Sequence, residues 1–135
     1  MSYLLDTNVV SEMRRRRGDP RVAQWLRSVP HQELFLSALV PGEIRRGIDR
    51  LRSRDAAQAE ALDVWLEGIH RRFAQRILPI DTTIAEEWGR LSAGDPVPVL
   101  DALMAATAKV HQMVLVTRNV SDVARTGVRL LNPWG

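Results

Sequence analysis

Short apolar segments alternate with longer helical patterns along the whole chain of 135 residues. The short segments have the length of β-strands, and several contain β-branched or aromatic residues. Strands that alternate with helices imply right-handed crossover connections and a mainly parallel sheet. We therefore expect a single α/β domain over residues 1–135, built as three α/β/α layers around about five strands. The predicted strands are residues 3–5, 34–36, 77–80, 113–116 and 128–131.

The segments between these strands carry signals for helix starts and for buried helix faces. A cap followed by a first-turn proline occurs at Asp19-Pro20, and Pro41 has the same first-turn role in the next helix. Residues 55–74 place apolar side chains at three- and four-residue spacing, which is typical of an amphipathic helix. Residues 83–86 match a capping box that starts another helix. Residues 100–111 are apolar on almost every side, which predicts a central helix.

The composition excludes several classes of site. The chain has no cysteine, so disulfide scaffolds, thiolate zinc sites and thiol catalysis are excluded. Lys109 is the only lysine among 19 basic residues, and the formal net charge is +3. Such an arginine-rich chain suits contacts with phosphates or carboxylates, although a coding bias toward arginine gives the same composition. The chain has no apolar run of about 18 residues and no signal peptide, so we expect a cytoplasmic protein with no membrane partner.

Four acidic residues occupy positions where such a sheet places its ligands. Asp6 and Asp122 follow predicted strands, Glu43 lies in the first turn of the helix after the second strand, and Asp101 enters an alanine-rich helix. Ligands of parallel sheets bind beyond the carboxyl ends of the strands. Taken singly, each acid is also explained by helix capping, by a turn or by the helix dipole.

Asp101 is the most informative of the four acids. The loop before it is rich in glycine and proline and already offers Asp95 as a turn residue. A carboxylate that enters a buried helix is costly unless it is paired, hydrogen-bonded or bound to a metal. By contrast, Asp81 follows a predicted strand beside the capping box and is expected to be structural.

Acids that converge at one edge of a sheet repel one another, and a bound divalent cation removes that repulsion. With oxygen ligands alone, Mg²⁺ or Mn²⁺ fits better than zinc. Carboxylates together with Mg²⁺ activate water and steady a phosphodiester during in-line displacement. The acid set therefore favours metal-dependent phosphodiester chemistry.

Four segments in series resemble the PIN-domain ribonucleases, in particular toxins of the VapC and FitB type from bacterial toxin–antitoxin pairs. The matching segments span almost the whole chain: residues 5–12, 41–48, 101–108 and 117–119, with Asp122. The resemblance implies an acid cluster that binds Mg²⁺ or Mn²⁺ and hydrolyses RNA. Asp6, Glu43 and Asp101 match the three core acids, and Asp122 matches the fourth, more variable acid.

The resemblance also implies roles for neighbouring residues and for partners. Thr7 matches a residue that helps to hold the site, Asn8 and Asn119 match polar supports of the acids, and Thr117 of the same motif is assigned to this supporting set. Val123 stands where many relatives have an aromatic residue, which affects local packing. The family implies a homodimer, a co-expressed antitoxin, a higher assembly with it, and autoregulation through the antitoxin's DNA-binding half.

The sequence is also compatible with two other functions. A phosphatase-like α/β domain is disfavoured because Asn8, rather than a second acid, stands two residues after Asp6. A non-catalytic, arginine-rich module that binds RNA or a protein partner would use the acids only as caps. The arginines at 14–17 fit contacts with RNA phosphates or an acidic antitoxin segment, and equally the dipole of a helix C-terminus. The four tryptophans are expected to be core or interface anchors.

Overall fold

The computed structural model describes residues 1–94 and 96–135, so Asp95, predicted to be a turn residue, lies outside the described residues. Within them the strands are β1 (Tyr3–Leu5), β2 (Leu34–Ser37), β3 (Ile77–Leu78), β4 (Val114–Val116) and β5 (Leu130–Leu131). The five strands form one sheet in the order β3-β2-β1-β4-β5, and every pair is parallel. The predicted parallel sheet of about five strands is confirmed.

Seven α-helices connect the strands in the described part of the chain. They are α1 (Thr7–Arg14), α2 (Pro20–Ser28), α3 (Leu39–Arg52), α4 (Ala56–Arg72), α5 (Thr82–Ser92), α6 (Val99–Val110) and α7 (Val120–Val123). Helix α3 packs on α4, and α5 packs on α6. The crossovers run outward from β1 to β3 and then back to β4, so their common handedness places α1–α4 on one face and α5 and α6 on the other.

Acidic N-caps begin two of the predicted helices. The Asp19 side chain accepts a hydrogen bond from the backbone N–H of Arg21 at 2.9 Å, and Pro20 is the first residue of α2, as predicted. The Asp55 side chain accepts one from the backbone N–H of Gln58 at 3.0 Å and begins α4. Both helices therefore start where the sequence places a carboxylate beside otherwise unpaired backbone N–H groups.

One predicted helix start is wrong by two residues. Helix α5 begins at Thr82 rather than after a Thr83 cap, because the Asp81 side chain accepts the backbone N–H of Ile84 at 2.9 Å. Asp81 thus has the structural role expected of it. Helix α3 begins at Leu39, and Pro41 lies in its first turn, as predicted.

The core surrounds the two central strands. Leu4 and Leu5 of β1 and Leu115 and Val116 of β4 are at most 1% exposed. The prediction that α6 is central is confirmed, because half of it is buried: Ala102, Met104, Ala105, Ala106, Thr107 and Ala108. No described helix is long and apolar enough to cross a membrane.

The tryptophans mostly anchor the core, as expected. Trp134 is 7% exposed and belongs to the core, while Trp25 and Trp65 are half-buried and pack against it. The Tyr3 and Trp25 rings meet edge to face, with centroids 5.2 Å apart. Trp88 is also half-buried, on α5.

Candidate active site

Asp6 lies directly beyond β1 and is only 7% exposed. Its Oδ1 accepts the backbone N–H of Thr7 at 2.7 Å, which makes Asp6 the N-cap of α1. Its Oδ2 accepts the hydroxyl of Thr117 at 2.7 Å and the amide of Asn8 at 3.4 Å. Since Leu5 of β1 pairs with the last residue of β4, the sheet register itself brings the two elements together. The Asp6 carboxylate is therefore oriented by residues that follow two neighbouring strands, β1 and β4.

Glu43 reaches the same region from α3. Its Oε1 accepts the hydroxyl of Thr7 at 2.6 Å, so one threonine joins α1 to α3. The prediction that Glu43 lies in the first turn is wrong, because α3 starts at Leu39 and Glu43 is its fifth residue. The start of α3 is supported by Ser37 Oγ, which accepts the backbone N–H of Leu39 at 3.1 Å. The helix dipole at the N-terminus, which acts mainly within the first turn, does not account for this acid.

Asp101 is the third residue of α6 and is half-buried. It is not the cap, since Pro98 holds that position without a side-chain bond. Burial raises the pKa of the Asp101 carboxyl, and the negative charges of Asp6, Asp122 and Glu43 raise it further, in that order. Among the described residues its carboxylate has no hydrogen bond or ion pair. When Asp101 is ionised, no described residue therefore compensates its charge through a hydrogen bond or ion pair.

One cavity of about 290 Å³ brings three of the four predicted acids together. Its lining consists of Asp6, Thr7, Asn8, Ser11, Glu43, Leu100, Asp101, Met104 and Asn119. Asp122 is not part of this lining; it is exposed on α7 and acts on Asp101 electrostatically. Three acids thus share a cavity and the fourth stands outside it.

The supporting residues predicted beside the acids form one connected hydrogen-bond network. Thr117 is 1% exposed, and its Oγ1 accepts the backbone N–H of Asn119 at 3.0 Å and the amide of Asn8 at 3.4 Å. The Asn8 Oδ1 accepts the backbone N–H of Arg118 at 3.4 Å. The segment after β4 is therefore tied to the start of α1. Asn119 is also the N-cap residue of α7, without a side-chain cap bond.

The donor set fits a hard divalent cation in its chemistry. All four acids offer oxygen ligands, which suit Mg²⁺ or Mn²⁺, and the repulsion felt by Asp101 is what a cation would relieve. Within residues 1–94 and 96–135, no three His, Cys, Asp or Glu side chains are close enough to form a ready-made metal site. The case for a divalent cation therefore rests on the cavity that Asp6, Glu43 and Asp101 share and on the uncompensated carboxylate of Asp101.

Some lining residues were not singled out from the sequence. Ser11 lines the cavity four residues after Thr7, and this helical spacing on α1 is a signal that points to it. Leu100 and Met104 have the same spacing on α6. They carry no chemical signature, so only the folded chain identifies them.

The arginines at 14–17 are exposed at the end of α1 and just after it. Arg15 pairs with Glu12 at 3.4 Å, and the Glu12 carboxylate also accepts the backbone N–H of Asp19 at 2.8 Å. Glu12 is buried and ties α1 to the start of α2, a role that the sequence did not reveal. Arg15 and Arg16 line a second cavity of about 280 Å³, which shares no residue with the acidic cavity.

Comparison with known proteins adds a family match. A protein-family model described as the PIN domain matches residues 3–127 of this chain. The chain is 34% identical to Toxin FitB of Neisseria gonorrhoeae over 97% of both chains. It is 30% identical to VapC ribonuclease Y4jK of Sinorhizobium fredii, over 97% of this chain and 96% of that protein.

Solved structures agree with these relatives. The crystal structure of FitAcB from Neisseria gonorrhoeae aligns with a TM-score of 0.89 at 34% identity, over 98% of each chain. A toxin–antitoxin complex from Klebsiella pneumoniae aligns with a TM-score of 0.71 at 27% identity, again over 98% of each chain.

Proposed function

This chain belongs to the PIN-domain family, and from that premise we propose that it is a metal-dependent endoribonuclease, the toxin of a toxin–antitoxin pair. The observation that carries the proposal is the cavity lined by Asp6, Glu43 and Asp101 at the carboxyl edge of the sheet. The relative named as a VapC ribonuclease supports RNA as the substrate. The whole of residues 1–135 serves as one nuclease domain in this proposal.

PIN-domain ribonucleases generally depend on a divalent metal, and we infer Mg²⁺ or Mn²⁺ here because the available ligands are oxygens. Asp6, Glu43 and Asp101 would hold the cation. Asp122, outside the cavity, adds negative charge and would hold a second cation or the attacking water. When bound, such a cation lowers the pKa of water and polarises the scissile phosphate.

Neighbouring side chains orient two of the three acids that line the cavity. Asp6 is oriented by the Thr117 hydroxyl, and Glu43 by the Thr7 hydroxyl, so each keeps a fixed direction before any ligand arrives. Asp101 has no such partner among the described residues, which leaves both of its oxygens available. Asn119 also lines this cavity, and its backbone N–H donates to the Thr117 hydroxyl at 3.0 Å.

Partners follow from the same premise. A structural relative is a toxin–antitoxin complex, and we infer that this chain pairs with a co-expressed antitoxin in the cytoplasm. We also infer a homodimer that forms a higher assembly with the antitoxin, whose DNA-binding half regulates the operon. A small neighbouring reading frame that encodes a DNA-binding protein would support this pairing.

Cleavage of a structured RNA tests the proposed function. We expect the wild-type protein to cut the RNA in Mg²⁺ or Mn²⁺, to stop in EDTA, and to resume when the metal is restored. Asp6→Asn should leave the RNA intact in all three conditions. Cleavage that EDTA does not affect, or equal cleavage by Asp6→Asn, would reject the mechanism. Purified protein that binds RNA but never cuts it would favour a non-catalytic module.

Replacing Thr117 with valine should lower the cleavage rate by about 10–100-fold, since it removes the hydroxyl that orients Asp6. Single-turnover rates on the structured RNA measure this loss. Thr107→Val is the matched control, because Thr107 is equally buried but its hydroxyl donates only to the Leu103 carbonyl within α6. Equal rates for the two variants would remove Thr117 from the site.

A further inference from the structure

We propose that Arg118 binds an RNA phosphate beside the acidic cavity and that the Trp134 ring is its positioning residue. The inference rests on the proposed ribonuclease function and names the contact that holds the substrate there. Its ligand is the phosphodiester backbone of RNA. Neither residue lines the acidic cavity itself.

Arg118 stands next to the hydrogen-bond network of the site. It directly follows Thr117, whose hydroxyl donates to Asp6, and its own backbone N–H donates to the Asn8 Oδ1 at 3.4 Å. Its side chain is exposed, in the segment that leaves β4 at the carboxyl edge of the sheet. The Arg118 backbone is therefore one hydrogen bond from Asn8, a residue that lines the acidic cavity.

The Trp134 ring fixes where the guanidinium stands. The Arg118 Cζ lies 5.1 Å from the centroid of the ring, a cation–π contact. Trp134 is 7% exposed, and its backbone N–H donates to the Asn132 side chain at 2.9 Å, so the ring is held by the core and by a turn. A guanidinium held in this way loses less conformational freedom when it binds a phosphate.

The guanidinium is also available for a ligand. Among the described residues it makes no side-chain hydrogen bond or ion pair with a carboxylate. The pKa of Asp19 is lowered to about 2, mainly by the hydrogen bonds from Arg21. The positive charge of Arg118 makes a smaller contribution to this lowering. The Arg21 bonds, at 3.1 Å from Nε and 2.8 Å from Nη2, occupy both Asp19 oxygens.

A basic side chain near the cavity would offset the negative charge of the cavity lining. Three carboxylates line the cavity, and they repel the polyanionic RNA backbone until a metal and basic side chains offset them. Arginine is suited to bidentate contact with a phosphate. We therefore assign Arg118 to a phosphate next to the scissile one rather than to a base.

RNA binding measured apart from cleavage tests the inference. All titrations use the full chain with Asp101→Asn, and a fluorescently labelled structured RNA at a series of salt concentrations. Adding Arg118→Ala should weaken binding about tenfold and reduce the slope of log affinity against log salt by about 0.7 to 1. Arg50→Ala is the control, since it removes the same charge from the exposed far end of α3. It should leave affinity and slope close to those of the parent.

Conservative variants separate a phosphate contact from a loss of structure. Arg118→Lys should keep the salt slope while losing part of the affinity, because the charge remains and the planar fork is gone. Trp134→Phe keeps a ring and should bind RNA like the parent, whereas Trp134→Leu should bind like Arg118→Ala. In the catalytically active protein, Arg118→Ala should raise KM more than it lowers kcat.

The outcomes of these experiments distinguish the proposed Arg118 contact from the proposed ribonuclease function. If the wild type cleaves RNA but Arg118→Ala and Arg50→Ala bind it equally, the Arg118 contact is wrong and the ribonuclease function stands. That result would also follow if Arg118 served only an acidic antitoxin segment. If the wild type neither binds nor cleaves RNA, the proposed function itself fails, and the Arg118 contact fails with it.

Discussion

Replacing Asp101 with asparagine is expected to lower the rate of RNA cleavage by about three orders of magnitude, or about 4 kcal/mol. The variant keeps the shape of the side chain but removes the one cavity carboxylate that has no hydrogen-bond partner among the described residues. Single-turnover cleavage in Mg²⁺ measures the loss. Asp122→Asn is the comparison, and it should cost less than Asp101→Asn because Asp122 lies outside the cavity. A larger loss for Asp122→Asn would contradict the assignment.

The same substitution should stabilise the metal-free protein. Burial and neighbouring acids raise the pKa of Asp101, so its ionised form is less favourable in the folded chain than in the unfolded chain. This penalty is absent below the ordinary carboxyl pKa, where Asp101 is protonated in both states, grows as the pH rises from that value to the raised pKa, and is fully present above it. In EDTA, Asp101→Asn should therefore melt above the wild type near neutral pH. The difference should vanish at acid pH, and a lower Tm near neutrality would contradict the account.

Replacing Phe73 with alanine should lower the free energy of unfolding by about 3–5 kcal/mol, a large part of the stability of a domain this size. Phe73 directly follows α4 as its C-cap residue and is fully buried. The Arg76 guanidinium lies over its ring, 5.0 Å from the centroid, and donates to the His31 and Leu34 carbonyls at 2.6 Å. The ring thus supports the arginine that holds α4 against β2.

Urea denaturation measures the Phe73 effect. Phe73→Leu is the control, since it keeps a branched apolar side chain and leaves a smaller cavity than alanine, so it should cost less than Phe73→Ala. Equal losses for the two variants would mean that the cavity left by the ring is not the cause. At temperatures where both variants are folded, cleavage by Phe73→Leu should match the wild type, because Phe73 is not part of the acidic cavity.

The alternating pattern of the sequence was sufficient for the fold. Apolar periodicity separated strands from helices, and the handedness of crossovers then limited the topology to a parallel sheet. The helix starts were less predictable. Nothing local showed that the Ser37 hydroxyl would support a helix beginning at Leu39, and this shift moved Glu43 out of the first turn. Helix boundaries depend on such single hydrogen bonds, which periodicity does not encode.

The acidic residues of the site could be predicted from the sequence, but only some of the side-chain contacts around them could be. Asp6 and Asp101 stand where parallel sheets place ligands, so position alone made them candidates. The contact between Thr7 and Glu43 joins residues 36 positions apart, and that between Arg118 and Trp134 joins the end of β4 to the last turn of the chain. Pairings of this kind arise from tertiary packing and leave no signal in local sequence.

Calorimetric titration with Mn²⁺ is the most direct test of the central claim that Asp6, Glu43 and Asp101 hold a divalent cation. The wild-type protein should show saturable binding, and Asp101→Asn should lose it while remaining folded. Arg50→Ala should bind Mn²⁺ as the wild type does, because it changes the charge at the far end of α3 only. Wild-type protein that binds no Mn²⁺, or an Asp101→Asn variant that binds it equally well, would contradict the account.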